Sequence, residues 1–485
     1  MSMWILPGAP LNNGQGWRIW CSQKGEGSFV PPAVAVRQGG TTVPVHSEWK
    51  LLPPLAGLKR RMGIMSVRLQ NSPPPQGAIF EIQVGTNNDA EVQTFSWSTL
   101  PQSVTDKGVT CLFSSCFWQN NDRDGYYRAG MRELKILCQP HFKMLIGDQV
   151  YLDWPLYWDI ADKEAIQLFG KRYRQYWEDE QYREVLQLNP NFITCDDHEY
   201  WNDYPEKQKH LIQAWDDSHR NIYGPVADQL YYQYQQCLNP DEARWYSYVI
   251  DPVSFFITDT RSTRGECRDN GAGHFILDDQ WQALEDWQQG LQGPGVLVLG
   301  QPLFQKDGNY KDHSLSNFKE DYARLWRVLE RSLGGKNTQG VPHDILILSG
   351  DIHTGRYAEA HGPFPDAPYG VPEFIASPAA MISPGNTRPE APPQRIRVKP
   401  NAQGGESVWN IDPQKHVEIM TIQNNVGIVR MFPGSQVGGT PRVRFELELW
   451  RLPAKRLELD WDEVPPPQGV GGPLACVFKK ELLLR

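Results

Sequence analysis

The sequence predicts an α/β protein with β-rich segments at both ends, and three observations carry that expectation. Apolar runs that halt at a small residue followed by charge recur at Phe142-Lys143-Met144-Leu145-Ile146, Phe192-Ile193-Thr194 and Ile345-Leu346-Ile347-Leu348. Amphipathic stretches separate them, and strands that alternate with helices imply a largely parallel, buried sheet. Residues 1 to about 105, and those beyond about 415, instead show the short apolar–polar alternation of half-buried strands.

Each element follows from local chemistry. Residues 1–105 are rich in Gly, Pro and Thr. Trp17-Arg18-Ile19-Trp20, Ser66-Val67-Arg68-Leu69 and Ala78-Ile79-Phe80-Glu81-Ile82 read as strands punctuated by prolines, which suggests a small β-sandwich. The segment 106–485 opens on a strand, Val109 to Ser114. Residues 162–187 and 206–236 read as helices, the second broken near Gly224-Pro225. Val253 to Thr258 and Val296 to Leu299 are strands, 278–290 is a helix with an Asp cap and a terminal Gly, and 316–334 is a further helix. After about 415, His416 to Ile422 and Arg442 to Leu449 alternate again, and the Pro-rich stretches 362–372 and 383–394 are expected to frame a cleft mouth. P-loop, GxGxxG and GxSxG motifs are absent.

Composition narrows the function classes. The chain has 485 residues, 40% apolar, and a formal net charge of −9. That length holds two or three domains. The negative balance argues against broad nucleic-acid or anionic-membrane binding, both of which need basic surface. No apolar run approaches the roughly 20 residues of a membrane span. The first residues lack the basic and apolar regions of a secretory signal. Eight cysteines spread without tight pairing fit reduced thiols, so a cytoplasmic location is expected. The sequence is silent on oligomeric state.

The strand ends carry the chemistry. Gly147-Asp148, Asp196-Asp197-His198-Glu199 and Gly350-Asp351-Ile352-His353 each follow an apolar run. In open α/β sheets the carboxyl ends of the strands line the site. Carboxylates and imidazoles brought to one edge repel unless a cation holds them, so the pattern points to a hydrolytic metal site. Asp148 can bridge two cations and Tyr151, three residues on, can ligate ferric iron. Cys116, after Ser114-Ser115, is a further soft donor or else a small buried hydrophobe. Phe255-Phe256-Ile257-Thr258-Asp259-Thr260-Arg261 ends another strand in charge. Arg261 suits bidentate contact with phosphate, and Asp259 could orient it or a water, although a simple Asp–Arg surface pair has the same spacing. The aromatic residues Trp154, Tyr157, Trp158 and Trp201 either shape a pocket or pack beneath the helices.

The segments SSC, GDQVYLD, DDHEYWND, FFITDTRSTRG, ILDDQWQALEDW, ILSGDIHTGRYAE and FIASPAA occur in this order. Together they closely resemble the alkaline phosphatase D (PhoD-like) family of metallophosphoesterases, over about Val109 to Ile382. The resemblance implies a four-layer αββα metallophosphatase sandwich, with residues 1–105 as an N-terminal β-sandwich accessory domain and 106–485 as the catalytic domain. It also implies that Asp148 bridges the metals, that Cys116, Tyr151 and His353 bind iron, and that Asp197 and Asp351 bind calcium. Other divalent cations (Zn, Mn, Mg) suit the same ligands. His198 would stand outside the first coordination shell and Arg261 near the phosphate. The twin-arginine export signal of many relatives is missing from the sequence, and the superfamily's additional histidine has only His313 in roughly the right region.

The expected activity is phosphodiester or phosphomonoester hydrolysis on a phosphate-ester substrate. Water held by metal, its pKa lowered toward about 7, attacks phosphorus in line while Arg261 stabilises charge and His198 protonates the leaving group. Two other readings share these residues. One is a non-catalytic metal-binding scaffold that recognises a glycan or protein partner, and the other is hydrolysis of a non-phosphate ester.

Overall fold

The computed structural model describes residues 3–25, 28–54, 59–70, 77–85, 92–122, 124–153, 162–207, 211–267, 271–306, 314–381, 388–435, 441–453 and 473–485. Eight strands come first: β1 (Met3–Pro10), β2 (Gly16–Lys24), β3 (Ala33–Gln38), β4 (Thr41–Val43), β5 (Val45–Leu51), β6 (Arg60–Leu69), β7 (Ile79–Gly85) and β8 (Gln93–Ser98). They form two four-stranded sheets, ordered β1-β2-β6-β5 and β4-β3-β7-β8. The period-two alternation of β2 divides its side chains between two cores. Trp17, Ile19 and Cys21 join Val36, Phe80, Ile82 and Trp97 of the other sheet in one cluster. Trp20 points the opposite way, into a cluster shared with the helices that follow. Its indole donates to the Gln233 carbonyl at 2.9 Å, and the Trp97 indole donates to Gln187 at 2.8 Å.

The remaining chain runs β9 (Val109–Ser114), α1 (Tyr126–Cys138), β10 (Phe142–Ile146), α2 (Asp162–Glu178), α3 (Glu180–Gln187), β11 (Asn191–Thr194) and α4 (Asp217–Tyr234). Next come β12 (Tyr246–Ile250), β13 (Val253–Ile257), α5 (Asp278–Gln289), β14 (Gly295–Val298), α6 (Lys319–Leu333) and β15 (Ile345–Ser349). Strands β16 (Gly355–Ala360), β17 (Val371–Ile375), β18 (Arg395–Val398), β19 (Ser407–Asn410), β20 (Val417–Thr421), β21 (Asn425–Pro433), β22 (Val443–Arg451) and β23 (Ala475–Leu484) complete it.

The sequence pattern implied one largely parallel sheet, whereas two mixed sheets form. The first is ordered β11-β10-β9-β21-β22-β23 and the second β12-β13-β14-β15-β17-β16-β20. Strands β9 to β11 are parallel, as are β13, β14, β15 and β17, while the flanking strands run antiparallel. The residues after 415 are therefore split between both sheets, because β21 pairs with β9, far away in sequence. The sheets face each other across one cluster that holds Phe113, Met144, Ile146 and Phe192 with Phe255, Val298, Leu348 and Phe374. Leu112, Leu145 and Ile193 on the outer face of the first sheet pack with side chains of α1 to α4. Phe256, Leu297 and Ile347 on the outer face of the second pack with α5 and α6.

Three helix expectations change. The stretch 162–187 divides at Asp179, whose carboxylate accepts from Tyr182 N and caps α3. The stretch 206–236 holds a short 3-10 helix at Ile212–Trp215 and becomes α-helical only at Asp217, after the Asp216 cap. It then continues through Pro225, because buried Tyr223, Ala227, Leu230, Tyr231 and Tyr234 hold both halves and offset the lost backbone bond. Helix α5 has Leu277, not an aspartate, at its cap; Asp278 and Asp279 lie in the first turn, where the helix dipole favours them. Among the described residues, no helix is long and apolar enough to cross a membrane.

Candidate metal centre

Four loops meet where β9, β10, β11 and β15 end. Two glycines allow their approach. A Cβ on Gly147 would stand 2.5 Å from the Asp196 Cβ, and one on Gly350 would stand 2.5 Å from the Ser115 Cβ and 2.8 Å from the Ile146 carbonyl. Gly147-Asp148 and Gly350-Asp351 are therefore closely packed joints between loops. Glu199 fastens the same corner, its carboxylate accepting from the backbone N–H groups of Asp148, Gln149 and Asp196 at 2.7–3.0 Å. Cys116, Asp148, Asp351 and His353 all lie in the left-handed backbone region, with φ of 58°, 55°, 69° and 48°. Non-glycine residues held there cost about 1–2 kcal/mol each, and such strain collects at functional sites.

The side chains converge. The Cys116 thiol donates to Asp148 Oδ2 at 3.3 Å and the Tyr151 hydroxyl to the same oxygen at 3.5 Å. Tyr151 Oη lies 3.3 Å from His353 Nε2. Two further groups share Asp148: one with Asp197 and His198, the other with Asp196, Asp197 and Asp351, each group's ligand atoms lying within 4.8 Å of one another. Asp196 Oδ2 and Asp197 Oδ1 are buried without a hydrogen-bond partner. An unpartnered buried carboxylate oxygen is costly, and a cation removes the cost. The donor set fits metal, with thiol, phenol and imidazole in one group around Asp148 and mainly carboxylates, with the His198 ring, in the others.

Two ionic contacts border this cluster. His198 Nδ1 lies 2.7 Å from Asp153 Oδ1, and Asp153 is itself fully buried and also accepts from Asn202 N. The guanidinium of fully buried Arg261 donates through Nε to Asp196 Oδ1 at 2.8 Å and through Nη1 to the Tyr204 carbonyl at 3.1 Å; its Nη2 has no partner. Behind it, Arg264 donates to Gln301, whose amide donates to Asp351 Oδ2 at 3.1 Å.

Residues 111–306 match the family model of the PhoD-like phosphatases. This segment belongs to that family. It carries Cys116, Asp148, Tyr151, Asp196 to Glu199 and Arg261, while Asp351 and His353 lie beyond it. No curated protein and no solved structure gives a significant match to the chain.

The electrostatics of the PhoD-like cluster follow from burial. Desolvation, reinforced by Asp197, pushes the Asp148 carboxyl well above its usual range. Asp197 suffers the same burial, yet His198 and Arg261 outweigh it and leave its pKa lowered. Burial alone would depress His198, but Asp153, Asp197 and Asp148 raise it well above an ordinary imidazole. Burial and then His198 push His353 down to about 4, so its ring is neutral at neutral pH, the form that ligates a metal. The Cys116 thiol and the Tyr151 phenol are both pushed up by burial. A bound cation reverses that direction by favouring the anions.

All six expected metal ligands, Cys116, Asp148, Tyr151, Asp197, Asp351 and His353, thus come together with His198 and Arg261 at the strand ends of the two sheets. Asp259 is placed differently from its expectation. It accepts from the backbone N–H groups of Arg261 and Ser262 and from the Ser262 hydroxyl, so it sets the turn while Asp196 holds the guanidinium. Both Asp259 and Arg261 are buried, which removes the surface-pair reading. Trp201 is core, with its indole donating to the Glu206 carbonyl. Trp154, Tyr157, Trp158, His313 and residues 382–387 lie outside the described residues. The sequence reading gave Asp153, Asp196, Glu199, Gln301 and Ser377 no separate role. Ser377, which donates to the Cys116 sulfur at 3.2 Å, lies in the quoted FIASPAA segment and could have been sought there.

Proposed function

We propose that this chain is a metal-dependent phosphoric ester hydrolase acting on phosphodiesters or phosphomonoesters. Its two facing sheets and their outer helices are read as an αββα sandwich, with residues 1–105 as an accessory β-sandwich domain. One observation carries the functional reading: buried carboxylate oxygens without partners stand beside a buried arginine with one free Nη2. An anion of tetrahedral phosphate geometry between cations and guanidinium satisfies both.

In this proposal Asp148 would be shared by two cations. Cys116, Tyr151 and His353 would hold iron, and Asp197 and Asp351 would hold calcium. When bound, the cations neutralise phosphate charge and lower the pKa of water toward about 7. The protein groups do the rest. Arg261 Nη2 binds a non-bridging phosphate oxygen, and Asp196 keeps the guanidinium aimed. Asp153 fixes the His198 ring through Nδ1, which leaves Nε2 to hand a proton to the departing alkoxide. Asp259 secures the turn that presents Arg261.

The test measures metal content and turnover of wild type and Asp148→Asn, with bis-p-nitrophenyl phosphate, p-nitrophenyl phosphate and a carboxyl ester as substrates. Near-stoichiometric metal and phosphoester turnover in wild type, both lost in the variant, are expected. Wild-type metal and rates in the variant would remove Asp148 from the site. Turnover of the carboxyl ester alone would overturn the phosphatase reading. His198→Ala is expected to retain metal and to lose about 10²–10⁴ in rate, most with a poor leaving group. Unchanged turnover of an alkyl phosphate ester would end its role as an acid.

A further inference from the structure

A groove of about 370 Å³ lies between the start of α6 and strand β18. Lys306, Lys319, Arg395, Arg397 and Lys399 line it, and no carboxylate does among the described residues. The chain as a whole carries −9, so the local sign is reversed. Arg397 and Lys399 both lean on the single carboxylate of Glu406 at 2.6 and 2.5 Å, which leaves that trio net positive. Lys306 and Arg395 are exposed and make no ion pair among the described residues.

A second observation is independent of charge. Gln305 lines the groove, is only 2% exposed, and among the described residues has no hydrogen-bond partner for either Oε1 or Nε2. A buried amide atom left unpaired is costly unless a ligand completes it. A phosphate oxygen accepts from Nε2, and a ligand hydroxyl donates to Oε1.

Both walls of the groove begin at the metal cluster. Gln301 donates to Asp351 Oδ2, and Gln305 follows four residues on, within about 14 Å along an extended chain. On the other wall Glu390 N donates to Thr354 Oγ1, beside His353, and Arg395 follows five residues later.

We propose that this groove binds a second phosphate of a substrate that is a phosphodiester chain, holding the chain while another phosphate occupies the metal centre. The proposal rests on the phosphoester-hydrolase reading above, because only that reading makes the neighbouring anion a phosphate. Charge attraction in the groove is summed over several groups and screened by salt within a Debye length of about 10 Å at 0.1 M.

The test uses the full-length, metal-loaded protein and fluorescein-labelled phosphorothioate hexathymidylate, a slowly cleaved phosphodiester chain. Anisotropy gives Kd at several salt concentrations for wild type, Lys306→Gln/Arg395→Gln and the distant surface control Lys24→Gln/Arg37→Gln. The groove variant is expected to weaken binding at least about tenfold and to lower the slope of log K against log salt by about 0.7, one single-strand phosphate contact. Its turnover of bis-p-nitrophenyl phosphate should match wild type, and the control should bind as wild type does. Equal Kd and slope in groove variant and wild type, or equal weakening in the control, would overturn the proposal. If bis-p-nitrophenyl phosphate is cleaved but the groove variant binds the chain normally, the groove fails and the hydrolase reading stands. If nothing is cleaved but only the groove variant loses the chain, the groove stands as an anion site and the hydrolase reading fails.

Discussion

Two fully buried arginines lie on the second sheet's side of the molecule, each against a buried carboxylate, and they differ in what is left open. Arg356 donates through Nη2 to Glu373 Oε2 at 2.8 Å and to the Phe304 carbonyl, and through Nη1 to the Glu390 carbonyl. The other oxygen of Glu373 accepts from Leu303 N, Phe304 N and the Ser349 hydroxyl, so the carboxylate is saturated. Arg261 and Asp196 form the same kind of pair, yet among the described residues Arg261 Nη2 and Asp196 Oδ2 have no partner. Arg356 also keeps one buried nitrogen, Nε, without a partner, so the carboxylate marks the difference. The closed pair, its carboxylate saturated, ties loops together. The open pair keeps a carboxylate oxygen as well as a donor unspent beside the acidic cluster. Burial and pairing alone do not separate a structural ion pair from a functional one; an unsatisfied carboxylate oxygen beside an unsatisfied donor does.

Substitution can break that distinction, and the largest effect should fall on the closed pair. Arg356→Met strands Glu373 as an uncompensated buried charge and should cost about 3–5 kcal/mol in denaturant unfolding. Glu373→Gln in the same background should recover much of this, and turnover per folded molecule should match wild type throughout. Lost turnover at full folding would assign Arg356 to the site. Arg261→Met should reduce kcat/KM toward a phosphodiester by about 10²–10³, the scale of one lost transition-state donor. Here Asp196→Asn should restore stability without restoring activity. Recovery of both would make the open pair structural as well. The smallest effect is expected from Arg261→Lys, which keeps the charge but loses the planar fork. A drop of about tenfold, the worth of one charged hydrogen bond, would separate geometry from charge.

Much of this was legible in the sequence, for reasons visible residue by residue. Strands β9, β10 and β15 are largely apolar runs, broken by Thr110 and Lys143, because they are buried on both faces, and each ends where glycine or serine meets the site. The six metal-ligand positions followed from those ends and from the family resemblance. Legibility failed wherever the deciding partner is remote. The pairing of β21 with β9 is set across more than 300 residues, and β21 carries no local mark of its place beside the site. Proximity in sequence pointed to Asp259 as the partner of Arg261, whereas the carboxylate that holds it, Asp196, lies 65 residues away. Only the tight approach of Gly147 to Asp196 brings the latter into place. Helix α4 passes Pro225 because its neighbours in space, rather than its own propensities, hold it.

The left-handed conformations of Cys116, Asp148, Asp351 and His353 have an evolutionary consequence. Glycine at any of the four would relax the backbone and stabilise the chain in the absence of metal. A lineage released from the need for metal would therefore be drawn toward glycine at these positions, since most mutations erode stability and those that restore it are favoured. Four bulky or charged residues still occupy backbone conformations that glycine would fill at less cost. The chain stands off its stability optimum at four of the six positions proposed to bind metal.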